Sequence, residues 1–160
     1  MVNEKLTFIK ISKHERVEVV YCKEKQQHAI FSLKDIGQNE VITNFSIKEL
    51  FSTPSYLTIQ IDNKKHISLS PEYLQYTNHS CSPNVFFNTI DFNLVAIRDI
   101  RAGEELCFFY PSTEFEMAQP FECLCGEPTC LKKIEGAKHL PLNILKKHRV
   151  SAFINSQLFL

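Results

Sequence analysis

Three cysteines in the C-terminal third of the chain have the spacing of metal ligands. Cys123 and Cys125 are separated by one residue, and Cys130 follows after four more. Thiols one residue apart are too close for an ordinary disulfide but suit two corners of a Zn²⁺ tetrahedron, and Cys130 supplies a third corner. This clustering favours a metal site in a reducing compartment over a set of disulfides. The fourth ligand must come from one of the remaining cysteines, which are Cys22, Cys81 and Cys107.

Three other segments accompany this cluster and carry a family resemblance. Residues 78–84 read Asn-His-Ser-Cys-Ser-Pro-Asn, and residues 103–110 read Gly-Glu-Glu-Leu-Cys-Phe-Phe-Tyr. Upstream, residues 29–42 have the look of two opening strands joined by a turn. In this order and at these spacings, the segments resemble the SET-domain lysine methyltransferases that carry a post-SET zinc segment. The resemblance covers roughly residues 27 to 138.

The chain is expected to be mostly β with short helices. Short apolar runs rich in β-branched residues predict strands at 6–11, 17–21, 30–33, 56–61 and 93–98. The resemblance implies the SET fold, which is β-clip-like and in which one segment threads through a loop to form a pseudoknot. It also implies a domain order, which is a SET domain at 1–119, a post-SET zinc-binding segment at 120–138 and a C-terminal tail at 139–160.

Helix and turn signals are few. Ser70 as an N-cap, Pro71 in the first turn and an early acid predict one short helix that leads into Asn78. The tail from 141 to 160 has a partly amphipathic pattern, which predicts a helix that caps the core. The segments 35–39 and 98–103 are predicted to form similar turns, each followed by Glu and apolar residues.

The resemblance implies a channel in which a lysine amine meets a methyl donor. Tyr110 ends the Gly-Glu-Glu-Leu motif and corresponds to the family's catalytic tyrosine, while Tyr56 resembles its channel tyrosine. Phe108 and Phe87 correspond to the family positions that are associated with how many methyl groups are added. A hydroxyl at those positions would hold a water or the amine where a growing methylammonium needs space, so two phenylalanines predict a second and a third methyl transfer.

The resemblance further implies that the methyl donor is S-adenosyl-L-methionine, with S-adenosyl-L-homocysteine as the product. The residues implied to contact it are His28, Ala29, Ile30, Asn78, His79 and Tyr110. The chain departs from the family pattern at three places. Gln27-His28-Ala29 replaces a Gly-x-Gly and adds Cβ atoms where the backbone approaches the cofactor. Gln75 stands where the family often has an Arg before the Asn-His pair. Phe109 stands where the family usually has an Asp or Asn before the tyrosine that corresponds to Tyr110.

Cys81 completes the zinc site that the resemblance implies. The predicted ligands are Cys81, Cys123, Cys125 and Cys130. Four thiolates leave no open coordination position, so the predicted Zn²⁺ is structural and joins the segment after Tyr110 to the Asn78–Cys81 turn. The two other cysteines, Cys22 and Cys107, are expected to be buried free thiols.

Composition restricts the partners and the compartment. Eighteen Lys and Arg balance eighteen Asp and Glu, which gives no sign of nonspecific binding to nucleic acid or to an anionic membrane. The first residues lack the apolar core of a secretory signal, and the 160 residues fit one domain. We expect a soluble intracellular protein, compatible with the cytoplasm, the nucleus or non-classical secretion into a host.

The resemblance favours a protein-lysine N-methyltransferase whose partner is a histone or another protein that bears the target lysine. Two other interpretations stay open at this point. One is a binding module that keeps the SET fold and its zinc but has lost productive cofactor binding through the missing glycines. The other is a methyltransferase that accepts a small amine or a free amino acid.

Overall fold

The computed structural model describes residues 5–158 and consists mainly of short strands. Residues 1–4, on which part of the secretory-signal argument rests, and residues 159–160 of the tail lie outside the described residues. The first sheet has the order β1 (Phe8–Lys13), β2 (Val17–Cys22), β3 (Gln27–Ser32). The second has the order β4 (Val41–Asn44), β10 (Asn93–Ala96), β9 (Val85–Asn88). The third has the order β5 (Ser46–Phe51), β7 (Lys65–Ser70), β6 (Ile59–Asp62).

Two small pairs of strands complete the β structure. One is the parallel pair β8 (Asn78–His79) with β11 (Cys107–Phe108), and the other is the antiparallel pair β12 (Phe121–Glu122) with β13 (Lys133–Ile134). The helical elements are 3₁₀ helices at Glu72–Tyr76, Tyr110–Ser112 and Ala137–His139, and the α-helices α1 (Leu142–Leu145) and α2 (Ala152–Gln157). The prediction of a mostly β fold with short helices is confirmed.

The predicted strands form because their apolar side chains can reach one shared core. Val19 of β2, Ile30 of β3 and Leu94 of β10 are almost fully buried in a cluster that also contains Phe87 and Leu106. Burying an aliphatic or aromatic side chain of this size stabilises the fold by about 1.5–3 kcal/mol. The sheets are thereby held together by a common apolar interior, and the functional segments lie against it.

The two predicted turns, at residues 35–39 and 98–103, pair with each other. Ile36 and Ile100 exchange two backbone hydrogen bonds of 2.8 Å and are both buried. The Asp35 carboxylate also accepts a 2.9 Å hydrogen bond from the Ala102 N–H, and Gly103 takes a positive φ of 84° that suits glycine. This contact fixes the start of the 103–110 motif beside β3.

The helix predictions need two corrections. The helix after Ser70 is a 3₁₀ helix, and Ser70 is the last residue of β7 instead of its N-cap; Pro71 takes that position without a side-chain cap. The tail forms two short helices separated by a turn, not one continuous helix. In α2 the Ser151 hydroxyl caps the helix by accepting a 3.2 Å hydrogen bond from the Ile154 N–H. The predicted strand at 56–61 likewise begins only at Ile59.

The parallel pair β8 and β11 brings together the two motifs that are distant in sequence. Asn78 lies opposite Cys107, and His79 lies opposite Phe108. The pairing continues past the strands, since the Ser80 N–H donates to the Phe108 carbonyl at 3.1 Å. The segment that ends in Tyr110 is thereby held beside the segment that ends in Cys81.

Candidate active site and metal centre

The four thiols predicted as metal ligands lie together. The sulfur atoms of Cys81, Cys123, Cys125 and Cys130 are all within 4.8 Å of one another. Four converging thiols without other donors match the ligand set and the closed geometry of a structural Zn²⁺ site. The two remaining cysteines are not part of this group: Cys22 is buried in β2, as predicted, whereas Cys107 is only half-buried.

The acidity of the thiols also fits a cation site. Burial raises the pKa of the Cys81 thiol to about 11 and raises the pKa of Cys123 as well, whereas hydrogen bonds from its neighbours outweigh burial and lower the pKa of Cys125 to about 7. Thiolates this close repel one another, so they need a cation between them to ionise together. A Zn²⁺ ion would supply that charge, and it would join the turn after β8 to the segment between β12 and β13.

The His79 side chain connects the thiol cluster to Tyr110. The Tyr110 backbone N–H donates a 3.1 Å hydrogen bond to Nδ1 of His79, so Nδ1 is the unprotonated nitrogen of the ring. The proton of the neutral ring is therefore on Nε2, which lies 3.4 Å from the Cys81 sulfur. Burial lowers the pKa of His79 to about 4, which keeps the imidazole neutral. The ring can donate one hydrogen bond to the thiolate and accept one from the backbone at the same time.

Tyr110 also lines a cavity of about 280 Å³. Its size is close to the lower end of the range for small-molecule sites in proteins. Apolar side chains dominate the walls; they include Ile59, Leu69, Leu74, Phe87, Phe108 and Phe121. Such a lining suits an alkyl chain and disfavours an unpaired charge.

The Tyr110 hydroxyl is held in a fixed position at this cavity. It donates a 3.2 Å hydrogen bond to the Thr77 backbone carbonyl. Burial raises the pKa of the phenol, so the hydroxyl stays protonated at neutral pH. A neutral phenol with its proton committed to a carbonyl presents an oxygen lone pair that can accept a hydrogen bond from an amine.

The two phenylalanines predicted to control methyl number stand next to this tyrosine. The ring of Phe108 lies edge-on to that of Phe87 with the centroids 4.8 Å apart, and it lies 4.7 Å from the Tyr110 ring. Both phenylalanines are buried and line the cavity. Tyr56 also lines the cavity, but its side chain is 70% exposed, which places it at the opening.

Sequence reasoning missed two wall residues. Glu114 lines the cavity and is buried, and the Thr77 carbonyl anchors the Tyr110 hydroxyl. A glutamate four residues after Tyr110 gives no signal in the sequence, because its carboxyl is held by the Gln60 N–H of β6, 54 residues away in the chain. Backbone carbonyls such as that of Thr77 carry no residue signal at all.

A family model described as the SET domain matches residues 10–111, which is more than half of the chain. The chain belongs to the SET-domain family. This confirms the family predicted from the motifs. The matched range ends just after Tyr110, so three of the four clustered cysteines follow it.

Several relatives share this domain. Methyltransferase flvH of Aspergillus flavus is 37% identical over 106 residues, which are 65% of this chain and 59% of that protein. The H3 lysine-36 specific histone-lysine N-methyltransferase of Aspergillus oryzae is 40% identical over 68 residues, which are 39% of this chain and 7% of that protein. The variant-silencing SET domain-containing protein of Plasmodium falciparum is 37% identical over 79 residues, 46% of this chain and 3% of that protein. The chain thus spans less than two thirds of each relative.

In this SET-domain chain, the residues predicted to contact the cofactor lie on β3, on β8 and, for Tyr110, at the start of the 3₁₀ helix that follows β11. The Asn78 side-chain amide donates to the His28 carbonyl at 2.8 Å and to the Glu105 carboxylate at 2.9 Å. Ala29 and Ile30 follow in β3 and are buried, while the His28 ring stacks on Tyr76 with 4.2 Å between the centroids. The Asn78 amide therefore ties β8 to the strand that carries the predicted backbone contacts.

The structure shows where the three departures from the family pattern lie, which are the 27–29 segment, Gln75 and Phe109. Gln27 begins the regular strand β3 with an exposed side chain, and Ala29 points its Cβ into the interior. Gln75 lines the cavity. Phe109 is buried and stacks on His148 of the tail, with 3.8 Å between the ring centroids and 9° between the ring planes. A charged residue at position 109 would be buried against this ring, so the phenylalanine suits the packing of the tail.

Within residues 5–158, no helix is both long enough and apolar enough to cross a membrane.

Proposed function

We propose that this chain is a protein-lysine N-methyltransferase that uses S-adenosyl-L-methionine and holds one structural Zn²⁺. The observation that carries the proposal is the Tyr110 hydroxyl, anchored at a small and largely apolar cavity in a SET-domain chain. A lysine side chain is an alkyl chain that ends in an amine, and this cavity offers apolar walls and a hydrogen-bond acceptor. Names of relatives such as Methyltransferase flvH support the reaction class.

The chain's own residues would prepare the amine for reaction. S-adenosyl-L-methionine supplies a methyl group on a sulfonium, which only a neutral amine can accept. Apolar walls disfavour the ammonium form, and the Tyr110 oxygen can accept a hydrogen bond from the amine and direct its lone pair. Tyr56, at the cavity opening, is the second proposed channel tyrosine and would cover the lysine stem.

The proposed cofactor contacts are those predicted from the sequence. They are His28, Ala29, Ile30, Asn78, His79 and Tyr110. Asn78 holds the His28 carbonyl, and β3 keeps regular pairing with β2 through positions 27 to 32. The strand is thus intact without the family's glycines, which favours binding along its backbone over loss of the site.

The cavity lining supports a proposal for the number of methyl groups, and the cysteine cluster supports a proposal for the metal. Phe108 and Phe87 contribute no hydroxyl to the cavity, so we propose a dimethyl- or trimethyl-lysine product. Zn²⁺ at Cys81, Cys123, Cys125 and Cys130 would fix the post-SET segment, which we place at 120–138 between the SET domain (1–119) and the tail (139–160). Met117 to Phe121, which lead into the start of this segment, form part of the cavity wall.

The proposed substrate is a protein with an accessible lysine, either a histone or another protein. The Aspergillus oryzae relative is named for lysine 36 of histone H3, which supports the histone alternative. A SET-fold binding module without activity is the second candidate, and the observation that favours it is the replacement of both family glycines by Gln27 and Ala29. A small amine as acceptor is a third option, because the cavity itself recognises only the end of the side chain.

One experiment tests the proposal directly. The chain is incubated with isotope-labelled S-adenosyl-L-methionine and a panel of histones, ribosomal proteins, translation factors, free lysine and small amines. Mass spectrometry then locates the label. Label on lysine of a protein supports the proposal, label on free lysine or a small amine supports the third option, and binding of S-adenosyl-L-methionine without any transfer contradicts the enzyme assignment. Absence of both binding and transfer supports the inactive module.

A further inference from the structure

The cavity wall holds a carboxyl group for which the proposed reaction has so far no role. Glu114 lines the same cavity as Tyr110 and is 6% exposed. A carboxylate in an apolar wall is costly unless a cation or several hydrogen bonds compensate its charge. Because Glu114 shares this cavity with Tyr110, a cation that enters the cavity would stabilise the charged form of the carboxyl.

Within residues 5–158 the Glu114 carboxyl has one hydrogen bond and no ion pair. The Gln60 backbone N–H donates to its Oε1 atom at 3.1 Å, and Oε2 receives none. The described part of the cavity wall contains no Lys, Arg or His, and its other titratable groups are Tyr56 and Tyr110. The second oxygen thus remains available to a cationic group inside the cavity.

Hydrogen bonds of Glu114 and of the next residue fix the position of Glu114 in the fold. Its N–H donates to the Tyr110 carbonyl at 3.0 Å, and its carbonyl accepts from the Ala137 N–H at 2.9 Å. The next residue, Phe115, donates its N–H to the Gln60 side-chain oxygen at 3.1 Å. Gln60 therefore hydrogen-bonds both the Glu114 carboxyl and the adjacent backbone, which fixes the carboxyl in the cavity wall.

We propose that Glu114 binds the ammonium group of the incoming substrate and accepts its proton. The ligand class is an alkylammonium, which the cavity would receive as a lysine side chain. This inference rests on the proposed function, because it assigns to the substrate amine a partner on the wall of the same cavity.

The proton transfer balances in atoms and charge. One N–H bond of the ammonium breaks and one O–H bond forms at the Glu114 carboxylate, which leaves a neutral amine with a free lone pair and a neutral acid. Two opposite charges disappear together, so the step creates no isolated charge in the apolar cavity. Burial also raises the pKa of the Glu114 carboxyl to about 8, against a smaller opposing effect of the Gln60 N–H. A carboxyl of this basicity can take a proton from an amine whose own pKa burial has lowered.

The test uses n-butylammonium, which reproduces the lysine side chain beyond Cα, and needs no methyl donor. Ligand-observed NMR compares its binding to the unaltered chain, to Glu114→Gln and to the control Glu116→Gln. Glutamine keeps an oxygen for the Gln60 N–H, and Glu116 is an exposed residue paired with Lys138 at 3.1 Å. We expect Glu114→Gln to weaken binding about tenfold or more and Glu116→Gln to leave it unchanged. Equal binding to Glu114→Gln, or no binding to the unaltered chain, overturns the inference.

A second measurement keeps the inference testable if Glu114→Gln does not fold. In the unaltered protein, carbon-13 NMR follows the Glu114 carboxyl through a pH titration with and without saturating n-butylammonium. An ammonium beside the carboxylate lowers its pKa, whereas an unchanged titration overturns the inference. Failure of this inference can be distinguished from failure of the proposed function. Ammonium binding at Glu114 without any methyl transfer defeats the enzyme assignment, and transfer that is insensitive to Glu114→Gln in KM, kcat and pH profile defeats the role of Glu114.

Discussion

The Tyr110 backbone N–H donates to Nδ1 of His79 at 3.1 Å, while the opposite nitrogen of that ring lies 3.4 Å from the Cys81 sulfur. One imidazole thus joins the residue proposed for catalysis to a thiol proposed as a zinc ligand. Groups that hydrogen-bond a metal ligand orient it and tune its affinity for the metal. In this chain such a group also fixes the backbone of the candidate active site.

The first prediction concerns this ring. His79→Phe keeps an aromatic side chain but removes both nitrogens, so we expect about 10- to 100-fold weaker zinc binding. Competition with a chromophoric chelator measures the affinity without reference to activity. His139→Phe is the matched control, because His139 is 40% exposed on the side chain and does not contact the thiols. Unchanged zinc affinity in His79→Phe would show that the His79–Cys81 contact does not support the metal.

The second prediction concerns the Tyr110 hydroxyl. Tyr110→Phe removes one buried hydroxyl and little volume, so the fold and the S-adenosyl-L-methionine affinity should persist while methyl transfer falls roughly 100-fold or more. Single-turnover kinetics and calorimetry measure the two quantities separately. Tyr73→Phe serves as the control, since this tyrosine stacks on His14 and does not line the cavity. Full activity in Tyr110→Phe would remove the hydroxyl from the mechanism.

The third prediction concerns the metal content. The purified protein should hold about one Zn²⁺ per chain, because four thiols form one closed site. Cys125→Ser should lower that content and increase hydrogen exchange in the segment after Tyr110. Cys22→Ser is a control outside the cluster. The ligand assignment is wrong if full zinc content survives replacement of Cys123, Cys125 and Cys130 together.

How much of this site the sequence predicts depends on whether each residue belongs to a local motif. Asn78, His79, Cys81 and Tyr110 stand in short segments, and the motif order sufficed to expect them near one another. The role of Glu114 could not be predicted, since its carboxyl is held by Gln60, 54 residues away in the chain. The contacts that the His79 ring makes with Tyr110 and Cys81 could not be predicted either, because they depend on the register in which β8 pairs with β11. The family resemblance implied a shared site but not these hydrogen bonds.

The same distinction applies to the fold. Strands such as β2 were predictable because their β-branched residues are dense and their neighbours are polar. The 3₁₀ helix at Glu72–Tyr76 and the break between α1 and α2 were not, because each depends on contacts beyond the element. In the tail, His148 stacks on Phe109 and Arg149 lies over the Phe86 ring at 4.5 Å. These contacts hold the residues between the two helices against the domain and interrupt the helical pattern.

The fourth prediction concerns the missing glycines in β3. Because the strand is regular and the Gln27 side chain points to solvent, the unaltered chain should bind S-adenosyl-L-methionine. The double change Gln27→Gly with Ala29→Gly should then alter affinity only modestly and lower stability by about 0.5–1 kcal/mol per glycine. Calorimetry measures the binding and thermal unfolding the stability. Poor binding that the glycines restore would instead mean that the two side chains block the cofactor.

The last prediction concerns the number of methyl groups. Phe108 is buried between Phe87 and Tyr110, with ring centroids at 4.8 and 4.7 Å, so a hydroxyl added to this ring would lie in or beside the cavity. The unaltered chain should form dimethyl- or trimethyl-lysine, and Phe108→Tyr should shift the product toward monomethyl-lysine. The reason is that the new hydroxyl can hydrogen-bond the amine or a water in the space that a methylated amine requires. Mass spectrometry of the product over time separates a change in methyl number from a general loss of rate.

A control variant distinguishes the added hydroxyl from a disturbance of the packing. Phe92→Tyr adds the same group to a ring that packs against Phe45 but does not line the cavity, so it should leave the product distribution unchanged. An unaltered enzyme that stops at one methyl would refute the role given to the two phenylalanines. A Phe108→Tyr enzyme that still forms trimethyl-lysine would limit that role to packing against Tyr110, since a hydroxyl that does not reach the amine cannot exclude a further methyl group.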